Sequence, residues 1–345
     1  MTNIPASPWF APHRHADRRP FLLARNRILA ATRAWFDARE FLEVDVPALQ
    51  VSPGNETHLH AFATTMIHND GSTSPRFLHT SPEFACKKLL AAGEQRLFSL
   101  GHVFRNREHT KTHSPEFTML EWYRANQEYN AIIDDTLDIV KLATRIAARD
   151  EMLWQGRSCN PQFEAEWLSV NDAFVRYAGV DLLATLHSDG TANRDALAAV
   201  SPTEFQADEN WSDIFSRILV EKVEPHLGNG RVTVLYEYPA VEAALARTCP
   251  HDSRVAERFE LYACGVELAN GFGELTDAAE QRRRFEAEMD LKQQRYGERY
   301  PIDEELLAAL AIMPPASGVA LGFDRLVMLA TGAATIDQVQ WVPVR

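Results

Sequence analysis

The stretch Phe104-Arg105-Asn106-Arg107-Glu108, continued by His113-Ser114-Pro115-Glu116-Phe117-Thr118-Met119-Leu120-Glu121-Trp122-Tyr123, decides how this 345-residue chain reads. Within one short span it offers an arginine able to fork onto phosphate, an aromatic ring able to stack on a base, and carboxylates able to hold an ammonium group. That set suits a nucleotide together with an amino acid. Taken alone, the segment also reads as a strand pair carrying surface ion pairs.

Outward from this stretch, Leu97 to Phe104 and Phe117 to Arg124 read as strands. Pro82 to about Ala92 reads as a helix with proline in its first turn, where a missing N–H costs nothing. From Phe21 to Glu40, Leu22, Leu23, Ile28, Leu29, Trp35 and Phe36 recur at helical spacing and feed the strand-like Phe41 to Val46, stopped by Pro47. Residues 1–20, with Pro5, Pro8, Pro12 and Pro20, read as a flexible lead-in, and 21–345 as one domain. Asn130 to Asp150 has helical period, and about 151–230 reads as a helical packing region or an insertion. Arg231 to Tyr238 and Arg254 to Glu274 are strand-rich, and Gly318 to Thr331 reads as a strand entering a helix.

The apolar fraction of 46% supplies a large core. A formal charge of -13 disfavours a broad grip on nucleic acid, which rests on Lys and Arg. Cys86, Cys159, Cys249 and Cys264 show no CxxC spacing, so reduced thiols without zinc are expected. No apolar run reaches membrane-span length, and a soluble cytoplasmic protein is expected.

Three segments occur in the order of the class II aminoacyl-tRNA synthetases and resemble their lysyl branch. Phe41 to Pro47 resembles motif 1, Phe104 to Tyr123 motif 2, and Gly318-Val319-Ala320-Leu321-Gly322-Phe323-Asp324-Arg325 motif 3. Thr80-Ser81-Pro82-Glu83 and Glu267-Leu268-Ala269-Asn270-Gly271-Phe272-Gly273-Glu274 resemble its lysine-pocket segments. The resemblance implies an α/β (α+β) catalytic domain, a mostly antiparallel sheet flanked by helices, that uses ATP and Mg2+.

It further implies that Arg105 holds the α-phosphate and leans on the reacting carboxylate, Phe117 stacks on adenine, and Arg325 holds the γ-phosphate. These two arginines are the expected catalytic pair. Asn106, Arg107, His113, Ser114, Leu261 and Gly322 complete the expected ATP site. Glu260 and Glu267, seven residues apart, match the acidic pair that bridges magnesium to phosphates, hard oxygens suiting that ion. The plain alternative is two solvated glutamates at strand ends.

The amino acid is expected among Ser81, Pro82, Glu83, Glu121, Tyr123, Glu267, Asn270, Glu274 and Ala320. Glu83 is expected near the backbone-type amine, and Glu121, Tyr123 or Glu274 near the ε-ammonium. Buried carboxylates are costly without a counter-ion, which favours a cationic ligand; structural salt bridges are the alternative.

A lysyl-tRNA synthetase carries an OB-fold ahead of this domain, and the twenty residues before Phe21 cannot form one. The chain therefore resembles the elongation factor P lysine ligases, synthetase paralogues that join β-lysine to a protein lysine. The implied partners are elongation factor P, lysine or β-lysine, and a second copy of the chain through motif 1, with no tRNA and no membrane. Ala269 and Ala320 stand where lysyl-tRNA synthetases generally have glycine, and both methyls are expected to reshape the pocket floor toward β-lysine. Arg107 replaces the usual Glu of motif 2, with Glu108 one position later; Ser114 replaces a common Asn, and Lys111 stands where the ligases have Arg. A truncated enzyme that charges tRNA or only makes lysyl adenylate is one alternative. A non-catalytic amino-acid sensor is another, although such proteins tend to lose the motif 2 or motif 3 arginine and this chain keeps both.

Overall fold

The computed structural model describes residues 8–344. Helix α1 (Pro12–Asp37) leads to the short strands β1 (Leu42–Glu43) and β2 (Leu49–Gln50) and the hairpin β3 (Phe62–Ile67) and β4 (Thr73–Leu78). Helix α2 (Glu83–Ala91) precedes the long hairpin β5 (Arg96–Phe104) and β6 (Glu116–Ala125), then helix α3 (Tyr129–Ile146). Strands β7 (Met152–Trp154), β8 (Arg157–Cys159) and β9 (Glu166–Ser169) open a helical stretch of α4 (Val170–Ala178), α5 (Arg194–Val200) and α6 (Trp211–Ile218). Strands β10 (Thr233–Pro239), β11 (Thr248–Cys249), β12 (Asp252–Ala263) and β13 (Val266–Gly273) follow. Helices α7 (Ala278–Tyr296) and α8 (Glu304–Leu310), strand β14 (Ala316–Gly322) and helix α9 (Phe323–Thr331) complete the order.

Eight of these strands pair in the order β1-β5-β6-β14-β13-β12-β10-β9, with β11 on the side of β12. Only the two outer pairings, β1 with β5 and β10 with β9, are parallel. The result is the expected mixed, mostly antiparallel sheet flanked by helices.

The pleat sorts side chains strictly by parity. Phe98, Leu120, Trp122, Val319, Leu321, Ala269, Phe259, Leu261 and Val234 point to one face, where they join buried residues of α1, α3 and α9 in the largest core. The opposite face carries the polar alternates. Across five strands one register row reads Ser99, Glu121, Ala320, Asn270 and Glu260, and the next reads Leu97, Tyr123, Gly318, Phe272 and Arg258. One end of this polar face is covered by α2, α7 and α8 around Phe84, Leu90, Phe285, Leu306 and Leu310. The other end is covered by α4 and α6, whose Phe174, Ile214 and Phe215 pack on Leu235, Tyr238 and Tyr262 of the sheet. A cleft is left between them.

Two sequence expectations change here. Residues 12–20 are not a flexible lead-in, because α1 starts at Pro12 rather than Phe21. Proline is suited to that first-turn position, and the additional turns bury Arg18, which donates to the Gln340 carbonyl of the C-terminal segment. Residues 1–7 of that lead-in lie outside the described residues. The strand expected over Phe41–Val46 is shorter, with only Leu42 and Glu43 pairing to β5.

Helix α1 is tied to the site through Arg25. Its guanidinium pairs with Asp324 at the start of α9 and donates to Thr118 Oγ1 at 2.7 Å, and both charged side chains are buried. Asp324 also accepts from the Gln340 amide at 3.0 Å and the Thr118 backbone N–H at 3.3 Å. Loss of Arg25 would strand a buried carboxylate, so Arg25→Met is expected to lower unfolding free energy by about 3–5 kcal/mol in urea titrations. Arg33→Met, which breaks a half-exposed pair with Glu43, is expected to cost no more than about 1 kcal/mol.

Candidate active site

The cleft spans about 1240 Å³, open solvent at its mouth included, over the polar face of the sheet. Arg105, His113, Ser114, Phe117, Glu260, Glu267, Asn270, Ala320, Gly322 and Arg325 line it, with Ser81 and Glu83 at one end. Motif 2 supplies one wall. Arg105 leaves the end of β5, donates through Nε to the Thr80 carbonyl at 3.3 Å, and stacks its guanidinium 5.5 Å from the Phe117 ring centroid. It has no carboxylate partner among the described residues, so its outer nitrogens are available to an anion.

Arg325 rises from the first turn of α9 on the far side. It donates to the carbonyls of Thr112 and Glu267, each at 3.1 Å, and to His113 Nε2. Burial and the charges of Arg325 and Arg105 push the His113 pKa down to about 4. The ring is therefore neutral at pH 7 with a lone pair on Nε2, and Nδ1–H can donate to Thr110 Oγ1 at 2.7 Å.

Glu260 and Glu267 meet on the same face for a reason that strand alternation does not predict. They sit on the two strands of a hairpin, turned at Cys264 and Gly265, which both have positive φ. The register shifts by one residue between Leu261 and Tyr262, leaving Leu268 as an extra residue on β13. Glu267 pairs with Tyr262, two residues from Glu260 and on its face, so the hairpin brings it into the cleft beside Glu260, while the bulge seats Asn270 rather than Ala269 opposite Glu260. Glu260 accepts from Arg258 Nη2 at 2.8 Å and, on its other oxygen, from Tyr262 Oη at 2.6 Å. Enclosure in the cleft and the charge of Glu260 push the Glu267 carboxyl up, against Arg325, Arg258 and Arg105. Two such oxygen donors held close are suited to a hard divalent cation, which would relieve their repulsion.

At the other end Ser81 donates to Glu121 at 2.7 Å, and Tyr123 Oη donates to its second oxygen at 2.5 Å. Lys87, fully buried on α2, bridges Glu83 and Glu274 at 2.6 Å each. Burial foremost, and Glu83 next, push the Glu121 carboxyl up. Burial pushes up Glu274 as well, and Lys87 only partly offsets it. Asn270 Oδ1 is buried without a hydrogen-bond partner and sits on the cleft wall.

Several expected contacts are not formed. Arg107 has φ +66°, which swings its side chain out to Glu298 at 2.6 Å and toward His60, and Glu108 lines the cleft in its stead. Asn106 turns its side-chain oxygen to the Arg107 backbone N–H and does not line the cleft. Leu261 and Ala269 point into the core, because both have the opposite parity to Glu260 and Asn270. Of the two alanines only Ala320 therefore touches the pocket floor. Glu121, Tyr123 and Glu274 lie just behind the wall, and Pro82 faces a smaller adjoining cavity. Conversely, Arg258, Glu56 and Lys87 received no role from sequence reasoning. Arg258 was accessible by parity, two residues from Glu260; Lys87 had no signal beyond its i,i+4 spacing to Glu83.

The model of the tRNA synthetases class II (D, K and N) family matches residues 8–345. The chain belongs to this family. Among relatives of this class II chain, the elongation factor P (R)-beta-lysine ligase of Klebsiella pneumoniae (strain 342) is 42% identical over 325 residues, covering 93% of the chain and 94% of the relative. The protein of the same name from Salmonella typhi is 41% identical over the same shares. Class II membership leaves the two alanines as the point where substrate choice can be tested. In lysine-dependent pyrophosphate exchange, Ala320→Gly is expected to shift the β-lysine to α-lysine ratio by about 1–3 kcal/mol, a methyl's worth of discrimination. Ala269→Gly should leave that ratio unchanged and lower stability by about 1 kcal/mol.

Proposed function

We propose that the chain is an ATP-dependent, AMP-forming ligase that activates (R)-β-lysine and joins it to the side-chain amine of a lysine of elongation factor P. The observation that carries the reaction class is the placement of Arg105, Phe117 and Arg325 in one cleft with an enclosed carboxylate cluster at its end. The choice of acceptor rests on likeness to ligases of that name along nearly their whole length.

The substrate carboxylate attacks the α-phosphorus in line and pyrophosphate departs, forming the mixed anhydride. Arg105 is positioned to bind the carboxylate and α-phosphate, and Arg325 to bind the departing phosphates. His113, neutral, keeps the Arg325 fork in orientation by accepting its N–H. Fixed charges in a shielded cleft stabilise developing charge without reorganisation, so no protein nucleophile is needed. Mg2+, when held by Glu260 and Glu267, would neutralise phosphate charge. In the second step the acceptor amine attacks the acyl carbon, loses a proton, and AMP leaves.

No described helix is long and apolar enough to cross a membrane; the reading as a cytoplasmic enzyme rests on its proposed acceptor, a translation factor. The edge near β1 exposes Leu42, Leu49 and Val51, which supports homodimerisation through the motif 1 face. Nothing in the reaction calls for tRNA.

Incubation of elongation factor P with the enzyme, ATP, Mg2+ and (R)-β-lysine is expected to add one lysyl mass to a single lysine, read by mass spectrometry. Labelled tRNA instead of elongation factor P would overturn the acceptor. Arg105→Ala and Arg325→Ala are each expected to slow pyrophosphate exchange by about 10²–10³.

A further inference from the structure

The carboxylate cluster at the end of the cleft contains an ammonium of its own. Glu83, Glu121 and Glu274 lie together, and Lys87, at 0% exposure, is the one cation paired within them among the described residues. Three carboxylates against one ammonium leave a formal charge of minus two. The other groups facing the cluster add no full charge within it. Tyr123 on β6 and Cys86 on α2 are held neutral by burial, their pKa values raised well above the usual range. Arg247 is already paired with Glu257 at 2.6 Å, and Glu56 stands on the loop at the cleft rim. The buried, unpaired Oδ1 of Asn270 marks the neighbouring wall as built for a donor.

We propose that Lys87 is a specificity-setting positioning residue: it holds Glu83 and Glu274 in place and trims the pocket to the charge that a diammonium amino acid cancels. This rests on the lysine-type reading above and deepens it. Burial opposes the charge on Lys87, and Glu274 and Glu83 together outweigh that, keeping it protonated. A ligand with two ammonium groups brings the cluster to neutrality, whereas a neutral side chain leaves one buried charge uncompensated, a costly outcome. Without Lys87 a third carboxylate lacks a counter-ion and must take up a proton in the free enzyme. The two ammonium groups of the ligand compensate only two of the three carboxylates, so that proton stays in the complex.

The sign is fixed by linkage. A cation binds the ionised carboxylate, so each proton released makes affinity rise tenfold per pH unit below the carboxyl's pKa. The test is calorimetry of L-lysine and (R)-β-lysine binding at pH 6–8 in buffers of differing ionisation enthalpy, which counts protons released. In the Glu274→Gln background, where two carboxylates remain and the ligand can compensate both, Lys87→Met is expected to release about one more proton per ligand than Glu274→Gln alone, an additional tenfold of affinity per pH unit. Glu274→Gln/Lys87→Arg should restore the Glu274→Gln count. If that double variant does not fold, Glu121→Gln compared with Glu121→Gln/Lys87→Met carries the same difference of one proton. An unchanged count and pH slope on removing Lys87 from Glu274→Gln, with only a lowered Tm, would make it a structural ion pair and overturn the proposal. Absence of any lysine or β-lysine binding by the wild type would instead defeat the functional reading on which it rests.

Discussion

A pleated strand has two faces, and the central ladder of β5, β6, β14, β13 and β12 uses that constraint to build both the core and the site. Every second residue feeds the apolar layer under α1, α3 and α9, and the alternates form the polar floor. A slip of one residue between any two strands would exchange Glu121 for Trp122 or Ala320 for Leu321, putting charge in the core and hydrocarbon in the cleft. The register is thus enforced from below by packing. The site inherits its precision from that packing.

Helix α9 shows how the two layers are coupled. Its apolar residues Leu326, Val327, Leu329 and Ala330 belong to the core, while Asp324 and Arg325 in its first turn face the ladder and the cleft. Asp324 is held by Arg25 from α1, and Arg325 by carbonyls from the motif 2 loop and β13. Buried charge is kept only where partners converge from several elements, and each such partner ties a distant segment to the site. The same logic runs through Lys87, which joins α2 to Glu274 beyond the end of β13.

Glycine has a defined part in the floor. A Cβ at Gly318 would meet the Tyr123 ring at 2.3 Å and Glu274 Oε1 at 2.6 Å; on the core face beneath, one at Gly271 would meet the Phe259 ring at 2.3 Å. Removal of side chains at these points lets the aromatic and acidic neighbours close in. At Ala320, in the adjoining row, the methyl is retained and reaches the cleft.

That Arg105, Phe117, Glu260 and Arg325 would share one site was legible through the resemblance of their segments to class II synthetases, and the structure brings all four to the cleft. Helices and strands were legible to within a few residues wherever apolar spacing was regular. The flexible reading of residues 12–20 failed because prolines at positions compatible with a helix look the same in sequence as prolines that break one. Local exceptions to periodicity also had to be decided in three dimensions. Hairpin pairing with Tyr262 brings Glu267 to the cleft, the bulge at Leu268 turns Asn270 to the cleft and Ala269 to the core, and the left-handed backbone at Arg107 swings that side chain away. Lys87 belongs to the same class: sequence determined that an ammonium lies one helical turn from Glu83, and only the tertiary structure decided that it is buried against Glu274, because that pairing joins residues far apart in the chain.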